Sequence, residues 1–202
     1  ARPCGFESHP GHMKKRVFIV HGWGGSPTSD FLSWLHKELE DKGFEVHVPA
    51  MPDTENPKIE TWVPFLTQSV GNVDKNTFFV GHSIGCQTIL RFLEALPENK
   101  KVGGAVFVAG FFKLMYLEDN ESEEIAKQWE SSINLKKVKS HLSKSIAIFS
   151  DNDPYVSLEN KNKFESELGS KIIIEHDMAH FHEGAGITQL PIALKSILEI
   201  SK

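Results

Sequence analysis

Cysteine is nearly absent: the 202-residue chain holds two, Cys4 and Cys86. That is too few for a disulfide framework, so the fold has to be held by its core. Basic runs are missing too. Lys and Arg number 22 against 27 Asp and Glu, a net charge of -5, and no stretch gathers Arg or Lys into a phosphate footprint. Nucleic acid is therefore not an expected partner, and neither is an anionic membrane surface. No apolar run approaches the ~20 residues that a membrane-spanning helix needs. The segment MKKRVFIV, Met13 to Val20, sets a basic cluster before apolar residues as a secretory signal does. Its apolar run stops at His21-Gly22, short of the ~7–15 residues of a signal core, and no small-residue cleavage site follows. It reads instead as a first strand, and a cytoplasmic location is the expectation. Internal repeats and low-complexity linkers are also lacking.

With a hydrophobic fraction of 40%, this length suits one domain with a sizeable core. Residues 1–12, ARPCGFESHPGH, lack periodicity, and the GHM junction that follows resembles an expression-vector remnant, so the expected domain is 13–202. Cys4 falls outside it. Cys86 reads as a small buried hydrophobe with an inert thiol.

What is present is an alternation. Short apolar runs rich in Val, Ile and Phe begin near Arg16, Glu45, Thr77, Gly104, Ser145 and Lys171. Most are too continuous for a sheet with one wet face. Between them lie helical patterns. Phe31, Leu32, Leu35 and Leu39 share a face that stops at Gly43, and Ile89, Phe92, Leu93 and Leu96 share one that stops at Pro97. Similar patterns fill Thr61–Val70, Leu158–Leu168 and Thr188–Ile200. The expected fold class is α/β, a mainly parallel six-stranded sheet covered by helices on both faces. Ligands then bind beyond the carboxyl ends of the strands. Phe111–Leu142 is the one long connection, too short for a separate domain, and its acidic EDNESEE reads as a solvated loop and helix start.

The chemistry concentrates in three such loops. Gly81-His82-Ser83-Ile84-Gly85 fits G-x-S-x-G between a strand and a helix, where a strained turn lifts a serine hydroxyl above the strand ends. An ordinary turn serine is the bland alternative. A serine nucleophile needs a base, and the base needs an orienting acceptor. Asp151 and Asp153 follow the fifth strand; Asp177, His176, His180 and His182 follow the sixth. The order Ser, Asp, His is that of α/β-hydrolases. His21-Gly22-Trp23-Gly24-Gly25 follows the first strand and can present the Trp23 N–H opposite that of Ile84 as an oxyanion hole. A dinucleotide loop competes poorly, because the third glycine of G-x-G-x-x-G is missing. The imidazoles of HDMAHFH stand at metal-like spacings, but no further partner motif accompanies them, and no metal is expected.

Together VHGWGGSP, GHSIGC, DNDPYV and MAHFHEG resemble the small, capless hydrolases of the YdeN-like family, relatives of retinoblastoma-binding protein nine. The likeness runs from Met13 to Lys202 and takes in the MPD segment after the second strand and Trp62. It implies an α/β-hydrolase fold without a large cap domain and carboxylesterase-type activity that needs no cofactor. It also implies Ser83 as nucleophile, Asp153 as orienting carboxylate and His180 as base. The L-x-C-x-E segment for a retinoblastoma-type partner is absent. The expected substrate is a small short-acyl ester. An amide or small-peptide hydrolase, or an interaction protein with vestigial activity, are the alternatives. His82, Phe111, Phe112, Met115 and Trp129 are candidate pocket residues, although aromatic and Met side chains are core material first.

Overall fold

The computed structural model describes residues 14–202 except 116 and 118. Segment 1–12 and Cys4, read above as a vector remnant, lie outside the described residues. Six apolar runs become six strands: β1 (Arg16–Val20), β2 (Glu45–His47), β3 (Thr77–His82), β4 (Gly104–Val108), β5 (Ser145–Ser150) and β6 (Lys171–Glu175). They form one sheet in the order β2-β1-β3-β4-β5-β6, and every neighbouring pair is parallel. The reversal of strand order beside β1 and β3 makes their carboxyl ends a natural crevice.

Side chains alternate across each strand, and the sheet divides the core in two. Phe18, Val20, Phe79, Phe107 and Phe149 face one layer. It is built from α2 (Ile59–Val70), α3 (Ile84–Ala95), α4 (Asn120–Trp129) and α5 (Leu135–His141). Val17, Ile19, Val80, Val106 and Ile148 face the other, built from α1 (Leu32–Asp41) and α7 (Pro191–Ile200). α3 is buried along most of its length, which fits its place under the centre of the sheet. The run 158–168 expected as one helix is irregular: a 3₁₀ turn, the short α6 (Lys161–Lys163) and a π turn follow in succession.

β3 and β4 are buried throughout, as continuous apolar runs require. β6 is as apolar in sequence, yet it lies at the sheet edge and leaves Ile174 exposed. Two fully buried tryptophans hold the loop after β2. Trp62 Nε1–H donates to the Pro52 carbonyl (2.7 Å) and Trp129 Nε1–H to that of Pro57 (2.9 Å). Their rings meet edge to face at 5.9 Å, so each polar N–H is matched as a buried indole requires. Among the described residues, no helix is long and apolar enough to cross a membrane.

Candidate active site

The turn between β3 and α3 is dictated by close approach. Ser83 adopts φ 52°, ψ -118°, a left-handed region that costs an ordinary residue about 1–3 kcal/mol. Its N–H donates to the Val108 carbonyl and its own carbonyl accepts from Cys86 N–H, both at 2.9 Å. The flanking glycines leave no choice. A Cβ on Gly81 would lie 2.7 Å from Cys86 N, and one on Gly85 would lie 2.2 Å from the Val20 carbonyl oxygen. Strand and helix therefore touch backbone to backbone, and α3 starts directly at the serine with its positive dipole end toward it. Cys86 is fully buried with its thiol against the Gly81 and Val108 carbonyls, and burial pushes its pKa far up.

Two acidic residues compete in the loop after β5, and they take different imidazoles. Asp153 Oδ2 accepts from His180 Nδ1 at 2.8 Å. Asp153 is nearly fully buried, and its Oδ1 accepts the Tyr155 and Val156 N–H groups at 2.8 and 3.0 Å. Asp151 instead bonds the exposed His176 at 2.6 Å and accepts Asp177 N–H at 3.1 Å. The hydrogen bond between them raises the His176 pKa and lowers that of Asp151. With Nδ1 of His180 committed to Asp153, its Nε2 is the nitrogen left for the cleft.

That cleft, about 450 Å³, opens beyond the carboxyl ends of the central strands. Ser83 and His180 lie in it. Trp23, Leu114, Leu117 and Tyr155 supply its apolar wall; Asp30, His182 and Glu183 supply polar groups. His82 is the one pocket candidate from the sequence that lines it. Phe111 and Trp129 are turned into the core. Phe112 packs tilted against Phe164 with ring centroids 4.9 Å apart, and Met115 lines a smaller surface groove nearby. Leu114 and Leu117 belong to the same aromatic-rich segment, but its irregular backbone carries no period from which their facing is legible.

The loop after β1 is set by His21. Its Nδ1–H donates to the Gly22 carbonyl (2.9 Å) while Nε2 accepts from Met51 N–H (3.1 Å). Burial lowers its pKa, keeping it neutral. Gly24 takes φ 63° and donates to the Thr54 carbonyl. Among the described residues, neither the Trp23 nor the Ile84 N–H is engaged in a turn, loop or cap hydrogen bond. The imidazoles of the 176–182 segment do not converge: among the described residues, no group of three or more His, Cys, Asp or Glu side chains is arranged to hold a metal ion.

A sequence model described as serine hydrolase matches residues 17–199. The chain belongs to the serine hydrolase family. It is 30% identical over 180 residues to YdeN of Bacillus subtilis, an alignment that covers 89% of this chain and 93% of that one. The crystal structure of YdeN superposes with a TM-score of 0.85 over 93% of this chain and 98% of the other, at 28% identity. Est1E from Butyrivibrio proteoclasticus shares the fold at a TM-score of 0.70 and 13% identity, over 93% of this chain and 88% of its own. Membership, together with a strained serine beside a buried His–Asp pair, makes this serine hydrolase an enzyme of ester-hydrolase type.

Proposed function

We propose that Ser83, His180 and Asp153 form the catalytic triad and that the substrate is a small ester with a short acyl group. The observation that carries this reading is the Asp153–His180 hydrogen bond at 2.8 Å, buried in the cleft that also holds Ser83. His180 takes the serine proton as Ser83 attacks the ester carbonyl, and Asp153 keeps Nδ1 protonated so that Nε2 is the accepting nitrogen. The backbone N–H groups of Trp23 and Ile84 receive the tetrahedral oxyanion, with the end of α3 adding its dipole. Proton return from His180 expels the alcohol. Water then attacks the acyl-enzyme with His180 again as base, and the Ser83 Oγ–acyl bond breaks to release the acid as His180 returns the proton to Ser83. Every step uses only these side chains, backbone donors and water.

A short acyl group follows from the wall. The buried aromatics of 111–129 close the core instead of lengthening the cleft, which leaves Trp23, Leu114, Leu117 and Tyr155 to receive apolar atoms. Turnover of p-nitrophenyl acetate and butyrate by wild type and Ser83→Ala tests the assignment. The expected loss in the variant is on the order of 10⁴-fold or more, with fluorophosphonate labelling confined to Ser83. Equal rates with no label on Ser83 remove the proposal. A chain-length series peaking at twelve carbons or beyond removes the short-acyl part alone.

A further inference from the structure

The loop that carries His180 is unusual in its backbone. Asp177 (φ 56°), Ala179 (φ 44°) and Phe181 (φ 55°) are all left-handed, and none is glycine. Two of them flank His180. Each such residue sits roughly 1–2 kcal/mol above its right-handed alternatives. A loop of this kind left to itself has easier conformations to adopt, and a change of φ beside His180 redirects its side chain. Resting on the triad reading above, the geometry points to His82 and Asn152 as positioning residues that hold the backbone before and after His180 and so aim its ring at Ser83.

On the β5 side, Asn152 Oδ1 accepts Ala179 N–H at 2.8 Å. The same oxygen accepts the Ser150 hydroxyl, also at 2.8 Å, and Ser150 Oγ in turn accepts Met178 N–H at 3.1 Å. The Ala179 N–H, which can only donate, fixes which end of the amide faces the loop. On the β3 side, His82 Nε2–H donates to the His180 carbonyl at 2.8 Å. A carbonyl only accepts, so Nε2 must hold the proton. The His82 ring is locked edge-on against Phe31 (centroids 5.5 Å apart) and packs on the His180 ring at 5.1 Å. Its Nδ1 makes no hydrogen bond among the described residues and lies 3.5 Å from Asp30 Oδ2; separately, Asp30 Oδ1 accepts Glu183 N–H at 3.0 Å, which ties down the loop three residues further on.

The donor is also of the right charge. Burial, reinforced by the neighbouring His180, lowers the His82 pKa to about 4. It is therefore a neutral donor at neutral pH. A lysine or arginine in its place would donate as well, but its charge would oppose the imidazolium that forms on His180 as the serine proton is taken. His82 thus sits directly before the nucleophile in sequence while holding the base, which makes serine and histidine placement one mechanical unit.

The test uses the full-length enzyme and p-nitrophenyl butyrate, with kcat expressed per Ser83 titrated by a fluorophosphonate so that misfolded protein does not count. His82→Leu removes the donor; His82→Gln keeps a neutral N–H at similar reach; Asn152→Ala removes the acceptor independently. For His82→Leu the expectation is kcat down ~10–100-fold with KM within about twofold, since displacing a reacting group by about 1 Å costs on that order. Asn152→Ala should lose about tenfold in the same manner, and His82→Gln should recover to within about fivefold of wild type. Should His82→Leu not fold, Asn152→Ala and His82→Gln carry the test between them. Wild-type kcat in Asn152→Ala and His82→Leu overturns the assignment, as does a His82→Gln loss as deep as that of His82→Leu. Either result leaves the triad standing. Turnover that survives Ser83→Ala removes both readings.

Discussion

Asparagine at position 153 is the sharpest perturbation of the site, because the structure dictates how the new side chain must sit. Oδ1 of Asp153 accepts two backbone N–H groups, those of Tyr155 and Val156, at 2.8 and 3.0 Å. Only an oxygen can fill that role. The amide of Asp153→Asn is therefore forced to place its NH₂ where Oδ2 stands, 2.8 Å from His180 Nδ1. A donor there requires a lone pair on Nδ1, which moves the imidazole proton to Nε2 and leaves nothing to accept from Ser83. The fold keeps all its buried hydrogen bonds while the base becomes the wrong tautomer. In a serine protease triad the corresponding change lowers kcat on the order of 10⁴-fold, or about 5.5 kcal/mol of transition-state stabilisation. Loss of that size is expected here with p-nitrophenyl butyrate at pH 7.5, alongside a melting temperature close to wild type. Asp153→Ala should differ, since it orphans both turn N–H groups and so costs about 1–3 kcal/mol of stability for each. Asp153→Asn activity within tenfold of wild type, or instability equal to that of Asp153→Ala, would refute the reasoning.

Three further outcomes follow. Gly85→Ala puts a Cβ 2.2 Å from the Val20 carbonyl oxygen and 2.7 Å from that of His21. Neither strand β1 nor helix α3 can give way, so a loss above ~3 kcal/mol in urea unfolding is expected. Gly43→Ala is the control: nothing lies within 4 Å of its Cβ position, and it should lose only the ~1–2 kcal/mol of its φ of 88°. The buried His82 makes the fold acid-sensitive. Its pKa falls from 6.5 to about 4 on folding, so between those values the unfolded chain binds more protons. Its contribution is fully present above pH 6.5 and is lost as pH falls toward 4, about 3 kcal/mol in all. Urea unfolding at about pH 7.5 and 4.5 should show a smaller loss for His82→Gln than for wild type, and parallel losses would contradict the assignment.

Local patterns made the sheet legible. Runs rich in Val, Ile and Phe marked all six strands near their observed starts, most plainly β3 and β4, which are buried on both faces and have no polar alternation to obscure them. The serine turn was legible for a similar reason. Gly81, Ser83 and Gly85 are bound to their spacing by contacts within one strand-turn-helix unit and the adjoining strand. Residue type and spacing did not pair the acids with the imidazoles; only the family resemblance implied Asp153 for His180. Asp151 and Asp153 are two residues apart and equal in type, as candidates, until β5 and β6 fix how their loops face each other. Then Asp151 meets His176 and Asp153 meets His180. The pocket walls escaped too, since Phe111 and Trp129 go to the core and Leu114, Leu117 and Tyr155 to the cleft on irregular backbone.

By itself, then, the amino-acid sequence determined the α/β architecture and the strand-turn-helix that carries Ser83, because both rest on period and spacing over a few residues. The tertiary structure pairs Asp153 with His180, as the family resemblance implied, and it alone decided what lines the cleft and that three residues without a Gly signature turn left-handed around His180. Those features depend on hydrogen bonds between segments far apart in the chain, such as His82 to His180 and Asn152 to Ala179, and a linear pattern has no period that encodes them.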